Sequence, residues 1–568
     1  MREFWRRLNA VKRLTWEVLI VTLVINVLAL TSSLYSIQVL NRYVALGIDS
    51  TLLTLTVGAL IALVMEWMAR SARFGVLQWL CSRADAQLAD AAYTAISKIR
   101  YSALLATPAE TRNESLRSLH NVQATYSAQN LASVIDAPFS VVFLSLLFLL
   151  SPTVGWAVII VMALVLVSAI TVYARVEQPS KDMSQASVKW SAVQSVLANH
   201  PEMVRAFNAS KTFYQNWSSH LFGLLKHRQA MGEVQNRGAG ITQSATTLMT
   251  IVVYAVGARE VVAGRLDVGS LIGINIFASR ALASVTRVVN LVEPVKRGER
   301  SLEMLGQLAK LYQPKEKGLS LSQWFGNLRF DDLAFAYPKQ PAPILESFNL
   351  AIEKGQVAVF TGDNGAGKTT LAKMITGLVD PTRGRIRIDG LDLRQVDEAW
   401  WPSQMMYVPQ EPCFFDGSIR DNLMLDRVLE DDELLEICNK VGLQRFLANT
   451  TDGLNTAIQN GGAQLPVGIR RRLALARALV VDGQLVVLDE PTEGLDAEGC
   501  QSVATVLNEL VKQQKTIMVM SNDAFIVRAA NVRIDLNQKP VPAILQAAPA
   551  KEGESMAGPK AVGQGGAK

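Results

Sequence analysis

The residues best suited to chemistry are the run Gly362-Asp363-Asn364-Gly365-Ala366-Gly367-Lys368-Thr369, with Thr370 following. This is the spacing G-x-x-x-x-G-K-T, in which glycines let successive backbone N–H groups turn toward phosphates. A helix beginning at the lysine would add its positive N-terminal end. Lys368 would then bring a point charge to the terminal phosphates, and Thr369 a hydroxyl to Mg²⁺. A second pair, Asp489-Glu490, is followed by Pro491-Thr492. Two acids at that kind of position suit metal holding by Asp489 and water activation by Glu490. The chemistry expected is phosphoryl transfer from a bound polyphosphate to water.

Each group needs an element to aim it. Val357-Ala358-Val359-Phe360 reads as a buried strand before the glycine loop, and LAKMITGL reads as a helix after it. Leu485-Val486-Val487-Leu488 is a second buried strand that ends at the acidic pair. Short β-branched runs, glycine turns and amphipathic helices continue from about 318 to 540, which predicts an α/β domain. Residues 541 to 568 are mostly Ala, Gly, Pro and Lys and read as a disordered tail.

Residues 1 to 317 are of a different kind. The whole chain of 568 residues is 49% hydrophobic and only 19% charged, too apolar for an ordinary soluble enzyme. Disordered and fibrous classes are excluded. A net charge of +6 is compatible with nucleic acid, but it fits better as orientation charge beside membrane spans, so no nucleic-acid partner is expected. Six apolar runs, about 17–38, 51–69, 138–151, 153–173, 241–258 and 268–290, are candidates to cross a bilayer, the third starting before Pro138. Residues 1 to 16 carry five Lys or Arg, the connections 70–137 and 174–240 carry seven and eight, and the connection between the first two runs carries only Arg42. That places the N-terminus, both long connections and the ATP-handling domain in the cytoplasm. The first run is expected to be a true span and not a cleaved signal. The connections, low in Gly and Pro, should be long helices continuing the spans, with short helices within about 100–116 and 198–217. Arg280 is either a transport-pathway residue or, as we prefer, a charge close enough to the cytoplasmic end to reach water. Cys81, Cys413, Cys438 and Cys500 form no C-x-x-C pair, so neither a disulfide framework nor a thiolate metal site is expected.

The order Tyr337, phosphate loop, Gln410, Leu465 to Arg472, LVVLDE, Gly494-Leu495-Asp496 and a final switch position resembles the nucleotide-binding domain of ABC transporters. With six preceding spans, nearly the whole chain resembles an ABC exporter half-transporter. The fold implied is a six-helix all-α transmembrane domain followed by an α/β P-loop ABC nucleotide-binding domain. The resemblance implies that Tyr337 stacks on adenine, although a strand-edge aromatic is the plain alternative. It also implies that Gln410 links Mg²⁺ and the attacking water to the membrane domain, that Gly468 binds nucleotide, and that Asp496 lies in a loop crossing to a partner domain. SLYSIQVLNRYV at 33–44, DAPFSVVFLSLLFLLSPTVGW at 136–156 and GSLIGINIFASRALASV at 269–285 resemble the permease/ATPase component of bacterial type I secretion systems. The partners implied are a second ABC half-transporter, a periplasmic adaptor, an outer-membrane channel, a secreted protein substrate and membrane lipid, at the bacterial inner membrane. About 16 residues precede the first span, so the N-terminal peptidase-like domain of some relatives is not expected. Export of lipid, drug or small peptide by the same architecture is the alternative, as is a weakly hydrolysing regulatory subunit.

Two motifs depart from the family. Its signature reads Leu-Ser-Gly-Gly-Gln, and here the residues are Leu465-Pro466-Val467-Gly468-Ile469 before Arg470-Arg471-Arg472. Pro466 loses a hydroxyl and an N–H, Val467 adds bulk, and Ile469 loses an amide; each lost bond to a charged phosphate is worth roughly 1.5 to 3 kcal/mol. The usual switch histidine is Asn522, and no histidine follows His227. Asn522 can donate a hydrogen bond to a γ-phosphate but cannot carry a proton near neutral pH. A slow or partner-dependent ATPase is expected, as half of a heterodimer or as a tolerant homodimer.

Overall fold

The structure is a computed structural model that describes the chain apart from residues 1, 10, 45, 46, 48, 312–317, 338–341, 426 and 547–568. It divides into two compact units, Met1–Ile99 with Ala103–Gln313, and Arg100–Ser102 with Pro314–Lys568.

The first unit is helical. Among the described residues six stretches are long and apolar enough to cross a membrane: Lys12–Val44, Asp49–Lys98, Ala128–Leu150, Pro152–Asn199, Ser210–Val262 and Val268–Lys310. The third begins at Ala128, and a 3-10 turn at Ala137–Phe139 absorbs Pro138. The helices Asp49–Lys98 and Ser210–Val262, of 50 and 53 residues, run well past the apolar segments, and short helices stand at Tyr101–Ala106 and Pro201–Ala206. Leu147, Val158, Met249, Val253, Ile274 and Phe277 are buried between helices, whereas Leu60, Trp67, Ile160 and Ile251 point outward. Apolar side chains on both sides are what a helix needs when its outer solvent is hydrocarbon. Helices approach closely at Gly273, where a Cβ would sit 2.4 Å from Ile37 Cδ1. Buried Arg73 pairs with Asp136, and Arg287 Nη1 lies 3.6 Å from the same carboxylate, so the buried charge is shared. Arg280 donates from Nη2 to Ser32 Oγ at 3.0 Å, which gives it a protein partner on the first span.

The second unit is built on two sheets. One is antiparallel, order β2-β1-β4-β5, from β1 (Leu328–Phe335), β2 (Leu345–Ile352), β4 (Arg383–Ile388) and β5 (Leu391–Asp392). The other has the order β10-β9-β3-β8-β7-β6, with β3 (Val357–Thr361), β6 (Met405–Val408), β7 (Leu485–Asp489), β8 (Thr516–Met520), β9 (Val532–Asp535) and β10 (Ala543–Gln546). The strands β6 to β9 and β3 pair in parallel, and only the edge strand β10 is antiparallel. Every residue of β3, β7 and β8 is buried, as strands covered on both faces must be. Alternation then sorts them: Val357, Val359, Val486, Leu488, Ile517 and Val519 join one core, while Ala358, Phe360, Leu485, Val487, Met518 and Met520 join the other. Helix α1 (Lys368–Ile375) contributes Leu371 and Ile375 to the second core; helix α2 (Val467–Val481) contributes Leu473 and Ala476 to the first.

One boundary differs from expectation. Residues 541 onward read as a tail, yet Ala543–Gln546 forms β10 against β9, from Asp535↔Ala543 to Val532↔Gln546. A sheet edge needs backbone pairing more than large side chains, so composition misled here. The rest of the expected tail, 547–568, lies outside the described residues.

Candidate active site

The strand order β3-β8-β7 puts three C-terminal ends side by side. The glycine loop leaves β3, Asn522 follows β8, and Asp489-Glu490 closes β7, so residues as far as 160 apart in sequence converge on one edge of the parallel sheet. The loop turns through left-handed Gly365 (φ 86°) and Gly367 (φ 106°) into α1. At Gly367 a Cβ would also lie 2.4 Å from Ile344 Cγ2, so this position needs glycine twice over. Asp363, Asn364 and Gly365 are exposed at the loop tip, whereas Gly362, Ala366, Gly367, Lys368 and Thr370 are buried.

Lys368 donates from Nζ to Gly362 O at 2.6 Å and lies 2.8 Å from Glu490 Oε1. Asp489 is 1% exposed, and both its carboxylate oxygens are buried without a hydrogen-bond partner. Burial pushes its pKa up to about 6; the nearby Thr369 hydroxyl, whose hydrogen bond goes to Gln410, opposes this in part, the Glu490 charge adds to it, and Lys368 opposes it. Thr369 Oγ1 donates to Gln410 Oε1 at 3.2 Å. The Tyr337 hydroxyl lies 3.1 Å from Thr370 Oγ1, its ring edge-on to Phe335 at 4.9 Å.

Glu490 has φ 48°, a left-handed backbone that costs a glutamate roughly 1 to 3 kcal/mol. The surroundings enforce it. Its N–H donates to Met520 O at 2.9 Å, and its carbonyl accepts from Arg471 Nη1 at 2.7 Å. The other arm of Arg471 binds Glu493 Oε2 at 2.9 Å, holding the Glu493 carboxyl below the usual carboxylate range, and Gln410 Nε2 donates to that same oxygen at 3.4 Å. In the sequence Arg471 is one of three consecutive arginines after the signature, with nothing to mark it for this network. The spacing of Arg471 and Glu493, 22 residues apart, carried no sign of it.

The signature positions are separate. Pro466 precedes α2 with no side-chain cap, and Val467 is 48% exposed with its Cγ1 3.5 Å from where a Cβ on Gly494 would sit. A Cβ on Gly468 would meet only Leu495 and Gly494 within 4 Å, so the chain does not bring Gly468 to its own phosphate loop. Ile469 packs on the core beneath α2. Asp496 caps helix α3 (Ala497–Lys512), accepting from Gly499 N at 2.9 Å, and pairs with Arg472.

Both parts of the chain match known families. The ABC transporter transmembrane region matches residues 15–285, and the ABC transporter family matches residues 345–493, about three quarters of the chain together. The chain belongs to the ABC transporters. It has the transmembrane and ATPase domains fused, and it is closely related to the type I secretion ATPases of the HlyB and LktB kind. It is 26% identical over 525 residues to the alpha-hemolysin translocation ATP-binding protein HlyB of Escherichia coli O157:H7, which covers 92% of this chain and 74% of that protein. It is 26% identical over 520 residues to the Toxin RTX-I translocation ATP-binding protein of Actinobacillus pleuropneumoniae (89% and 71%), and 25% identical over 527 residues to the leukotoxin translocation protein LktB of Mannheimia haemolytica (92% and 74%). A solved bacterial Atm1-family ABC exporter with ATP bound has the same fold, with a TM-score of 0.79 at 18% identity over 93% of this chain and 94% of that one. This ABC transporter is therefore an ATP-driven, multi-pass inner-membrane subunit with its nucleotide-binding domain facing the cytoplasm, and its ATP hydrolysis is coupled to transport.

Proposed function

We propose that this chain drives export of a polypeptide in a type I secretion system. The observation that carries this reading is the relatedness to toxin translocation proteins, which extends through both halves and over 92% of the chain. A periplasmic adaptor and an outer-membrane channel complete the path, and a second ABC half-transporter completes the nucleotide sites.

Lys368 and N–H groups between Asn364 and Thr370 hold the ATP phosphates, the N–H groups of Gly362 and Asp363 being bonded to Asn522 and Asn537, and Tyr337 lies against the adenine. The residues present suit Mg²⁺, because the Thr369 hydroxyl, Gln410 Oε1 and the unpartnered Asp489 oxygens are hard oxygen donors. When bound, the ion would supply positive charge shared with the phosphate oxygens. As the phosphates draw Lys368 away from Glu490, that carboxylate is freed to accept a proton from the attacking water. Gln410, tied to Thr369 and Glu493, positions that water. The Pro466-Val467-Ile469 face is a poor cap for a partner's nucleotide, which favours a heterodimer whose other half brings a complete signature.

The test is secretion of a protein bearing a C-terminal signal in cells that carry the chain, its partner half-transporter, adaptor and channel. Secretion should stop when the chain is deleted or carries Glu490→Gln. Intact secretion after deletion, with loss of lipid or drug export instead, would replace polypeptide by that cargo.

A further inference from the structure

Strand β3 ends at Thr361, but its hydrogen-bonded ladder does not. On one side β8 follows β3 as far as Met520↔Phe360, and Ser521 N donates to Phe360 O at 3.0 Å. The β8 chain then turns away, because Asp523 caps the helix α4 (Ala524–Arg528). At that point the Asn522 side chain takes over. Its Oδ1 accepts from Gly362 N at 2.9 Å and its Nδ2 donates to Gly362 O at 2.8 Å. An extended residue presents its own N–H and C=O to the same side, and a carboxamide has an acceptor and a donor at matching separation. Asn522 therefore satisfies the N–H and C=O of Gly362 from one side chain, a two-bond exchange that a residue of an antiparallel neighbour makes and that the backbone of one further residue on the parallel strand β8 could not.

The other neighbour repeats the device. Strand β9 follows β3 to Asp535↔Thr361, and Leu536 N donates to Thr361 O at 2.8 Å. Asn537 Oδ1 then accepts from Asp363 N at 2.8 Å, and two residues later Lys539 Nζ donates to Ala366 O at 2.6 Å. Three side chains from two strand ends thus grip the loop at Gly362, Asp363 and Ala366. The same Gly362 carbonyl also receives Lys368 Nζ, so the clamp fixes the peptide against which that lysine rests.

We infer that Asn522 is a positioning residue for nucleotide binding, a side-chain extension of the β3 ladder that, with Asn537, sets the shape of the phosphate loop, and not a sensor of the γ-phosphate. A histidine at this position has its two ring nitrogens diverging across the ring, so it cannot serve the N–H and C=O of one residue together. The asparagine is on this account a replacement with its own task. A loop shaped from outside serves every nucleotide that it cradles, so loss of the clamp weakens ATP and ADP alike. The inference rests on the reading that 362–369 holds the phosphates.

The experiment is equilibrium binding of fluorescent ATP and ADP to the purified full chain in lipid nanodiscs. Asn522→Ala removes two neutral hydrogen bonds and should weaken both nucleotides by the same factor, on the order of tenfold. Asn522→Asp, which turns an oxygen toward the Gly362 carbonyl, should weaken both at least as much, and Asn522→His should not rescue either. Both Asn522 and Asn537 are exposed, and Asn537→Ala should repeat the parallel loss more mildly, with melting without nucleotide close to wild type. A loss confined to ATP would assign Asn522 to the γ-phosphate and overturn the clamp. Unchanged affinity for both nucleotides would overturn it as well. Lys368→Ala serves as the separate control: binding as tight as wild type there would refute the phosphate-loop reading itself.

Discussion

In the function proposed above, the edge of the sheet formed by β3, β8 and β7 and the first turn of α2 are the two faces of a nucleotide site, and they differ sharply. At the sheet edge, buried Lys368 and Asp489 are retained, and Glu490 is held in a strained backbone by Met520 and Arg471. At the α2 turn the helix itself is kept, anchored by Leu473 and Ala476, but its cap is a proline and its next side chain an exposed valine. The difference teaches that a fold can preserve an element for packing while giving up the polar groups at its tip. The energies point the same way: burying Asp489 without a partner costs stability and persists where chemistry requires it, while no such cost is carried at Pro466.

The comparison can be broken first at Glu490. Glu490→Gln in the assembled transporter should lower ATP turnover by about two to four orders of magnitude, the range for a general base, while ATP binding survives. Turnover near wild type would remove the functional weight from the sheet edge. Arg471→Ala comes next. It releases the Glu490 carbonyl and breaks the link through Glu493 to Gln410, so kcat should fall about tenfold with the KM for ATP little changed. A rise in KM alone would make Arg471 a binding residue. At Asp489 the effect of opposite sign is on stability. Asp489→Asn removes an unpaired buried charge and should raise the melting temperature of the nucleotide-free chain at neutral pH by several degrees while abolishing turnover. A lower melting temperature would mean that the carboxylate has a structural partner.

Much of the sheet edge was legible because its signals are local. Gly362 to Thr369 fix a loop by glycine spacing, and the all-apolar VAVF and LVVL runs leave no place for those strands except the centre of a parallel sheet. The spans were legible for the same reason, since lipid demands continuous apolar helix. What escaped depends on which side chains the tertiary fold brings together. The Arg471–Glu493–Gln410 network needs α2 to lie beside the end of β7, and a run of three arginines does not say which one turns inward. The two hydrogen bonds between Asn522 and Gly362 need β8 to leave the ladder one residue before the loop begins. At Ala543–Gln546, the Ala, Gly, Pro and Lys composition of 541–568 as a whole hid the short apolar run Ile544-Leu545, which pairs at the sheet edge through its backbone.

The central claim is that one face is competent and the other is not, so that the chain alone cannot build a fast site. It is tested most directly by ATP turnover of the purified chain, without a partner, before and after the triple change Pro466→Ser, Val467→Gly and Ile469→Gln. The account predicts slow turnover that rises by on the order of a hundredfold, in line with two recovered hydrogen bonds to charged phosphate. Brisk turnover by the unmodified chain, left unchanged by the triple substitution, would contradict it.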